Sequence, residues 1–381
     1  MDFELDETAA MVQASARDYA TKEILPRAAT IDREGRIPHS ILKGLAELGM
    51  MTLAVPEELG GADVGSVAYS AALSEVARAC ASTAVTMSVT NMVSEVIARF
   101  GTDAQKKRYV PQLASGALAA GSFALSEPEA GSDPGAMRTT AEEGRRSLGD
   151  RRRQAVDHER RLRGRVRGVG AYGRRRHQGH LAASSSSRAR RASRWGTTRT
   201  RWASAAAPRR PLHFEGVRVP ESALLGELNG GFKIAMMALD GGRIGIASQA
   251  IGIAEAALAA AVEYAKERKT FGKPIADHQA IQWMIADART ELDAARLLTY
   301  RAAYLKERAE LLAGGGDGEA LRDRGRRPHL RPCAPDPRRL RLREGVRRGA
   351  LLPRRARHAH LRGHERDPAH RHRPQRHGLT A

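Results

Sequence analysis

At 381 residues the chain is long enough for two or three packed domains, each burying its own core. A formal charge of +21 and a pI near 10.9 suggest an anionic partner, but residues 145–210 hold 21 Arg against 3 acidic residues, residues 311–381 hold 19 Arg against 7, and the remainder carries −9. Two cysteines, Cys80 and Cys333, exclude a disulfide framework and a cysteine-ligated metal site.

The N-terminus MDFELDETAAM is acidic and lacks an apolar leader, and no run of about 18 apolar residues suggests a membrane span, so a cytoplasmic chain is expected. Residues 1–120 read as helices separated by punctuation. TAAMVQASARDYATKEILPRAATIDREG repeats apolar residues at three and four, and SILKGLAELGM continues the pattern up to the VPEELGGADVG turn. VAYSAALSEVARACASTAVTMSVTNMVSEVIARF and TDAQKKRYVPQLASG follow, and four or more amphipathic helices in succession predict an all-helical unit. Cys80, within EVARACASTAV, is expected as a buried small hydrophobe.

From Gly121, GSFALSEPEAGSDPGAM breaks short apolar pieces with Gly and Pro, the texture of strands and cofactor loops. Residues 145–210 then lose periodicity, and order returns at PLHFEGVRVPESALLGELNGG as a strand, a turn and a helix start. From Phe232 to about Glu310 the text is strongly helical, in two long pieces whose apolar faces require a third or fourth helix. The chain continues instead as GGGDGEALRDRGRRPHLRPCAPDPRRLRL.

Three blocks, FALSEPEAGSDPGAM at 123–137, LHFEGVRVPESALLGELNGGFKIAMMALDGGRIGIASQAIGIAEAAL at 212–258 and YAKERKTFGKPIADHQAIQWMIADA at 264–288, resemble the acyl-CoA dehydrogenase family. The resemblance implies an α+β fold: an N-terminal helical domain over 1–120, a middle β-barrel-like domain over 121–225 and a C-terminal helical bundle over 226–381, incomplete in this chain. It implies FAD as cofactor, acyl-CoA as substrate, an electron-transfer flavoprotein as partner and a homotetramer.

Leu125, Ser126 and the Gly131-Ser132 loop match the segment that approaches the flavin and the acyl-CoA, where small residues and hydroxyls let backbone come close to an aromatic ring. Arg268, Lys269, Thr270 and Phe271, with His278 and Gln279, correspond to the FAD-contacting element, and an arginine fork suits a diphosphate. Ser132, Asp240 and Arg243 match positions at the acyl-CoA site. Without the surrounding motifs, KERK would read as a solvated helix end and His278 as a surface histidine. Some relatives carry their catalytic glutamate just before the arginine of LDGGRIG; here that position is Gly242, which sends the base to the family's other location near the C-terminus.

The two arginine-rich stretches share one explanation. All 9 lysines lie outside them, whereas 40 of the 55 arginines lie inside. Selection for phosphate contacts uses both residue types; an arginine excess alone is what GC-rich DNA gives when read out of frame. Residues 147–164 admit codons that, advanced by one base, encode W-V-I-D-G-A-K-Q-W-I-T-N-G-A-Y-A, with the second tryptophan straddling Val156 and Asp157. The same advance over 314–321 permits E-A-A-M-A-K-L-F, over 338–343 a glycine-rich G-G-Y-G-Y, and over 361–374 Y-E-G-T-N-E-I-Q-R-I-V-I-A-R. The glutamate of that last segment matches the family's general base, and its codon straddles Arg362 and Gly363. No catalytic residue is therefore assigned in the chain as translated, and Glu365, which follows GH, does not take the role.

A nucleic-acid-binding insertion is disfavoured because the runs lack aromatic interleaving and any recognition motif. HLRPC and HAHLRGH have no familiar metal-site spacing. The resemblance implies α,β-dehydrogenation of a short- or medium-chain acyl-CoA to the trans-2-enoyl-CoA. The competing expectation is an inactive, partly disordered frameshifted remnant with non-specific anion binding.

Overall fold

The computed structural model describes residues 4–127, 130–143, 159–166, 171–172, 180–182, 193–195 and 212–314. Helix α1 (Glu7–Tyr19) opens on Asp6, whose carboxylate accepts from the Ala9 N–H at 2.7 Å and satisfies a donor that the first turn leaves orphaned. A wide turn over Ala20–Ile24 and a tight one over Leu25–Arg27 follow at Pro26, which brings no N–H to the ladder. Helix α2 (Ala28–Glu34) stops at Gly35 in the left-handed region, φ 63°. Helix α3 (His39–Glu47) turns Ile41, Leu42 and Leu45 inward.

Helices α4 (Gly65–Ala79) and α5 (Ala81–Phe100) are separated by Cys80 alone, in extended conformation. Cys80, expected as a buried small hydrophobe, is half-buried and packs from the break between the helices against the N-terminal core. Helix α6 (Asp103–Ala114) begins with a reciprocal cap between Thr102 and Gln105. The Gln105 amide also donates to the carbonyls of Ser222 and Leu224, both at 2.8 Å, tying this helix to the segment before the C-terminal helices. Asn91, buried on α5, accepts from the Leu53 N–H at 2.8 Å and donates to the carbonyls of Met50 at 2.8 Å and Met87 at 3.0 Å. One side chain thus fastens the turn after α3 to α5.

The middle of the chain pairs antiparallel strands. Strands β1 (Thr140–Glu143), β2 (Glu159–Val166), β5 (Ser193–Trp195) and β6 (Leu212–Pro220) form one sheet in the order β1-β2-β6-β5. Strands β3 (Ala171–Tyr172), β4 (His180–Ala182) and β7 (Leu224–Leu225) form another in that order. Four of these strands lie inside 145–210, the stretch read as aperiodic, so that reading needs correction. Within ERRLRGRV, Leu162, Gly164 and Val166 alternate with Arg161, Arg163 and Arg165, a period of two that the arginine count hides. By contrast, residues 121–139, expected to hold strands, contribute isolated bridges at Ala124 and Ser126 and a tight turn over Pro134–Ala136.

Helix α7 (Gly231–Glu267) and helix α8 (Gln279–Gly314) flank a short hairpin of β8 (Lys269–Thr270) and β9 (Lys273–Pro274). By length and composition α7 could cross a membrane, with an 18-residue stretch of mean hydropathy 1.5, although the sequence was expected to hold no such run. Its apolarity has a nearer use, since it packs against α4, α5 and α8 and buries Ile234, Ala238, Ile244, Ile251 and Leu258. Ser248 bonds the Ser70 hydroxyl at 2.7 Å, and Ser74 donates to the Ser248 carbonyl at 3.1 Å. A Cβ on Gly252 would overlap the Ser74 carbonyl and stand 2.8 Å from Ala77 Cβ. One on Gly245 would overlap the Tyr69 hydroxyl. The helices therefore meet backbone to side chain.

Because the Ser74 carbonyl is held within α4 and cannot swing aside, Gly252→Ala should destabilise the fold by about 1–3 kcal/mol. Urea unfolding of the two proteins measures this, and an unchanged midpoint would refute the close contact.

Candidate active site

The sequence-assigned residues fall in three places. Leu125 is half-buried, packed with Phe123, Met137, Met236 and Met237 against Val96, Leu225, Ile234, Ala235 and Ala238. The loop that carries it therefore leans on the first turns of α7. Ser126 and Ser132 are exposed, and a Cβ on Gly131 would meet nothing within 4 Å. Glu127, which motif matching missed, holds this loop: its carboxylate accepts from the Arg138 N–H at 2.7 Å and the Thr139 N–H at 2.9 Å. A carboxylate followed by Pro-Glu-Ala-Gly was the available signal, since such text needs an internal acceptor to fix its turn.

Asp240 and Arg243 lie one turn apart on α7 and pair at 3.2 Å with both side chains exposed, a geometry worth little to stability. Between them, Gly241 and Gly242 border a small cavity lined also by Ala54, Ser66, Tyr69, Asn91, Met92, Glu95, Ile244 and Lys306. At about 20 Å³ it has room for a single water. Glu95 of α5 and Lys306 of α8 meet across one wall at 2.8 Å, and sequence reading missed both. Burial pushes the Tyr69 hydroxyl well above the ordinary tyrosine range, so it stays protonated, and it donates to Ser88 at 2.9 Å.

The third place is the hairpin at the far end of α7. Phe271 and Gly272 form its tip with φ of 51° and 79°, the positive values that a two-residue hairpin turn demands. Glycine adopts this freely; phenylalanine does so at a cost of about 1 kcal/mol. Phe271 is also 96% exposed, so no burial offsets that strain. His278 closes the element: its Nε2 lies 3.0 Å from the Thr270 hydroxyl, and its ring stands edge-on to Phe271 at 6.1 Å. The Ile275 N–H donates to the Arg268 carbonyl at 2.7 Å, pinning the base of the hairpin. Arg268, Lys269 and Gln279 are exposed around it. Arg362 and Gly363, where the sequence locates the codon of the missing base, lie outside the described residues.

A family model for the acyl-CoA dehydrogenase N-terminal domain matches residues 6–117, and one for the C-terminal domain matches residues 229–319. The chain is 44% identical over 305 residues to the mitochondrial short-chain specific acyl-CoA dehydrogenase of Bos taurus, covering 80% of this chain and 74% of that one. The solved butyryl-CoA dehydrogenase of Megasphaera elsdenii superposes with a TM-score of 0.73 at 32% identity, covering 80% of this chain and 81% of its own. A chain in the structure of the electron transferring flavoprotein of Acidaminococcus fermentans matches with a TM-score of 0.73 at 34% identity, over 80% of each. Helices flanking antiparallel strands, a motif-bearing loop against α7 and a hairpin at its end thus define one class of enzyme. The chain belongs to the acyl-CoA dehydrogenase family.

If Phe271 is kept for a ligand rather than for the hairpin, Phe271→Asn should raise unfolding stability by about 1 kcal/mol, because asparagine tolerates the left-handed region. Urea denaturation checks this; a lower midpoint would mean that the ring supports the fold itself.

Proposed function

We propose that this gene encodes a FAD-dependent dehydrogenase that converts short- or medium-chain acyl-CoA to the trans-2-enoyl-CoA and delivers the electrons to an electron-transfer flavoprotein. The observation that carries this reading is the hairpin, which holds an aromatic ring in a strained and solvent-exposed posture beside an arginine, a threonine and a histidine. These groups fit a flavin dinucleotide: Arg268 and Lys269 for the diphosphate, Thr270, His278 and Gln279 for directed hydrogen bonds, and Phe271 for an aromatic face. Leu125 and Ser126 would meet the isoalloxazine end. Ser132, Asp240 and Arg243 would meet the acyl-CoA.

A flavin supplies the hydride-accepting chemistry that no side chain offers. The chain's own part is to align the thioester, exclude water and remove an α proton. Gly242 has no group with which to remove it, so the general base is assigned to the frame-shifted C-terminal segment.

The distance between the two cofactor-facing sets supports an assembly. The Leu125 loop packs near Ala238, whereas Arg268 follows the end of α7. Thirty residues of helix span roughly 45 Å, far more than a dinucleotide, so both sets act on flavin only if they serve cofactors of different protomers. A homotetramer accommodates this, with each protomer organised as 1–120, 121–225 and 226–381.

A second reading, an inactive remnant that binds anions without specificity, is favoured by one observation. Helix α8 buries Leu292, Ala295, Thr299 and Ala303 on one side but exposes Trp283, Met284, Leu297, Leu298, Tyr304 and Leu305, the face that a further bundle helix would cover.

The chain as translated should hold flavin poorly, whereas the frame-corrected protein should show flavin absorbance, with Arg268→Ala lowering flavin affinity by about tenfold, the loss of a charge-assisted pair. Turnover of the chain as translated should be near background, and compensating one-base corrections near codons 145 and 210 together with one near 311 should restore it. Salt-sensitive nucleic-acid retention without any flavin would replace the enzyme reading with the remnant. A corrected gene whose product holds flavin but turns over no acyl-CoA would refute the proposed reaction.

A further inference from the structure

We propose that Glu307 of α8 is the N-terminal cap of α4, so that a helix near the start of the chain is completed only when the last described helix is docked. Helix α4 opens at Gly65, where φ is 80°, and a helix start leaves four N–H groups without partners inside the helix. Helices α1 and α6 satisfy one of theirs with Asp6 and Thr102. Among the described residues, no neighbouring side chain caps α4, and its first turn holds no acidic residue. The acceptor comes instead from 240 positions away: Glu307 Oε1 accepts from the Val67 N–H at 2.8 Å. A carboxylate there also meets the positive end of the helix dipole.

Gly65 is shaped to this contact. Apart from its chain neighbours, the three atoms nearest a Cβ placed on it all belong to Glu307, with Oε1 at 2.5 Å, Cδ at 3.2 Å and Cγ at 3.9 Å. The mouth of the helix, where a capping side chain ordinarily stands, is thus left clear for a remote one. Lys306, the residue before, pairs with Glu95 of α5 at 2.8 Å, each side chain 21% exposed. Two consecutive residues therefore fasten α8 to α4 and α5, about two turns before it ends at Gly314. The contacts close a circuit. Helix α4 holds α7 through Ser70 and Ser74, α7 leads through the hairpin to α8, and α8 returns to cap α4. The placement of α7 is thereby coupled to the docking of α8.

The test is native-state hydrogen exchange of the full chain, read at the first turn of α4. E307A should speed exchange there roughly tenfold, the size of a lost helix cap, and leave α1 and α6 unchanged. If E307A does not fold, E307Q takes its place; its amide keeps an acceptor oxygen without the charge and should raise the rate by about threefold, again at α4 alone. G65N should speed exchange in the unmodified protein, where its side chain meets Glu307, but add nothing in E307A, because that carboxylate is gone and asparagine tolerates a positive φ. Equal exchange at the start of α4 in the unmodified protein and the Glu307 variant overturns the cap. A rise spread evenly over α1, α4, α5 and α6 overturns it too, since that is a general loss of stability, and additive effects of G65N and E307A overturn the shared site.

Discussion

Where α7 crosses α4, Gly245 and Gly252 stand seven residues apart and present backbone where other helices present side chains, and Ser248 between them bonds to Ser70. Seven residues is two helical turns, so all three fall on one stripe. This contact fixes the height and rotation of α7 against the N-terminal helices. Everything assigned to function depends on that placement: Leu125 rests on its start, Gly241 and Gly242 face α5 because the stripe turns them there, and the hairpin extends from its end. A side chain in the crossing would move all three together, since a helix shifts as a rigid body before it bends.

The helices were legible because their signals are local. Apolar residues recurring at three and four are read within a few residues, and the caps that the structure adds at Asp6 and Thr102/Gln105 are equally local. Motif text marked Arg268, Lys269, Thr270, Phe271, His278 and Gln279 as one element without giving its shape; the hairpin and its Phe-Gly tip, at positive φ, come from the structure. The Glu95–Lys306 pair was invisible for the opposite reason: neither residue carries any sign of the other across 211 positions. Strand β2 was overlooked because charge was counted without regard to parity. Its alternation becomes meaningful only against β6, where the register sets Leu162 opposite Val217 and Val166 opposite Leu212.

Charge segregation along the chain bears on the assembly as much as on the gene. Outside its two arginine-rich stretches the protein carries −9, an ordinary balance for an enzyme and a poor one for holding nucleic acid. Helix α8 shows the consequence of the second stretch. Its inner face, Leu292 through Ala303, is complete, while its outer aromatic and aliphatic residues remain exposed. A sequence selected as a lone two-helix arm would place polar residues there. The mismatch dates the helix to a protein that had further helices to pack against it, in agreement with the shifted-frame text that follows.

Ion pairs in this molecule fall into two kinds. Arg17 and Glu75 join α1 to α4 at 2.8 Å, and Glu255 on α7 receives Arg289 and Arg296 from α8 at 3.0 and 2.5 Å. Each of these lies along a helix contact and includes an arginine, whose fork suits a fixed geometry. The pair of Glu95 with Lys306 uses a lysine, faces a cavity and sits beside two consecutive glycines. An apolar pair of the same volume would fill that place at least as stably, because desolvating two charges offsets most of their attraction, so stability alone does not account for charge at this position.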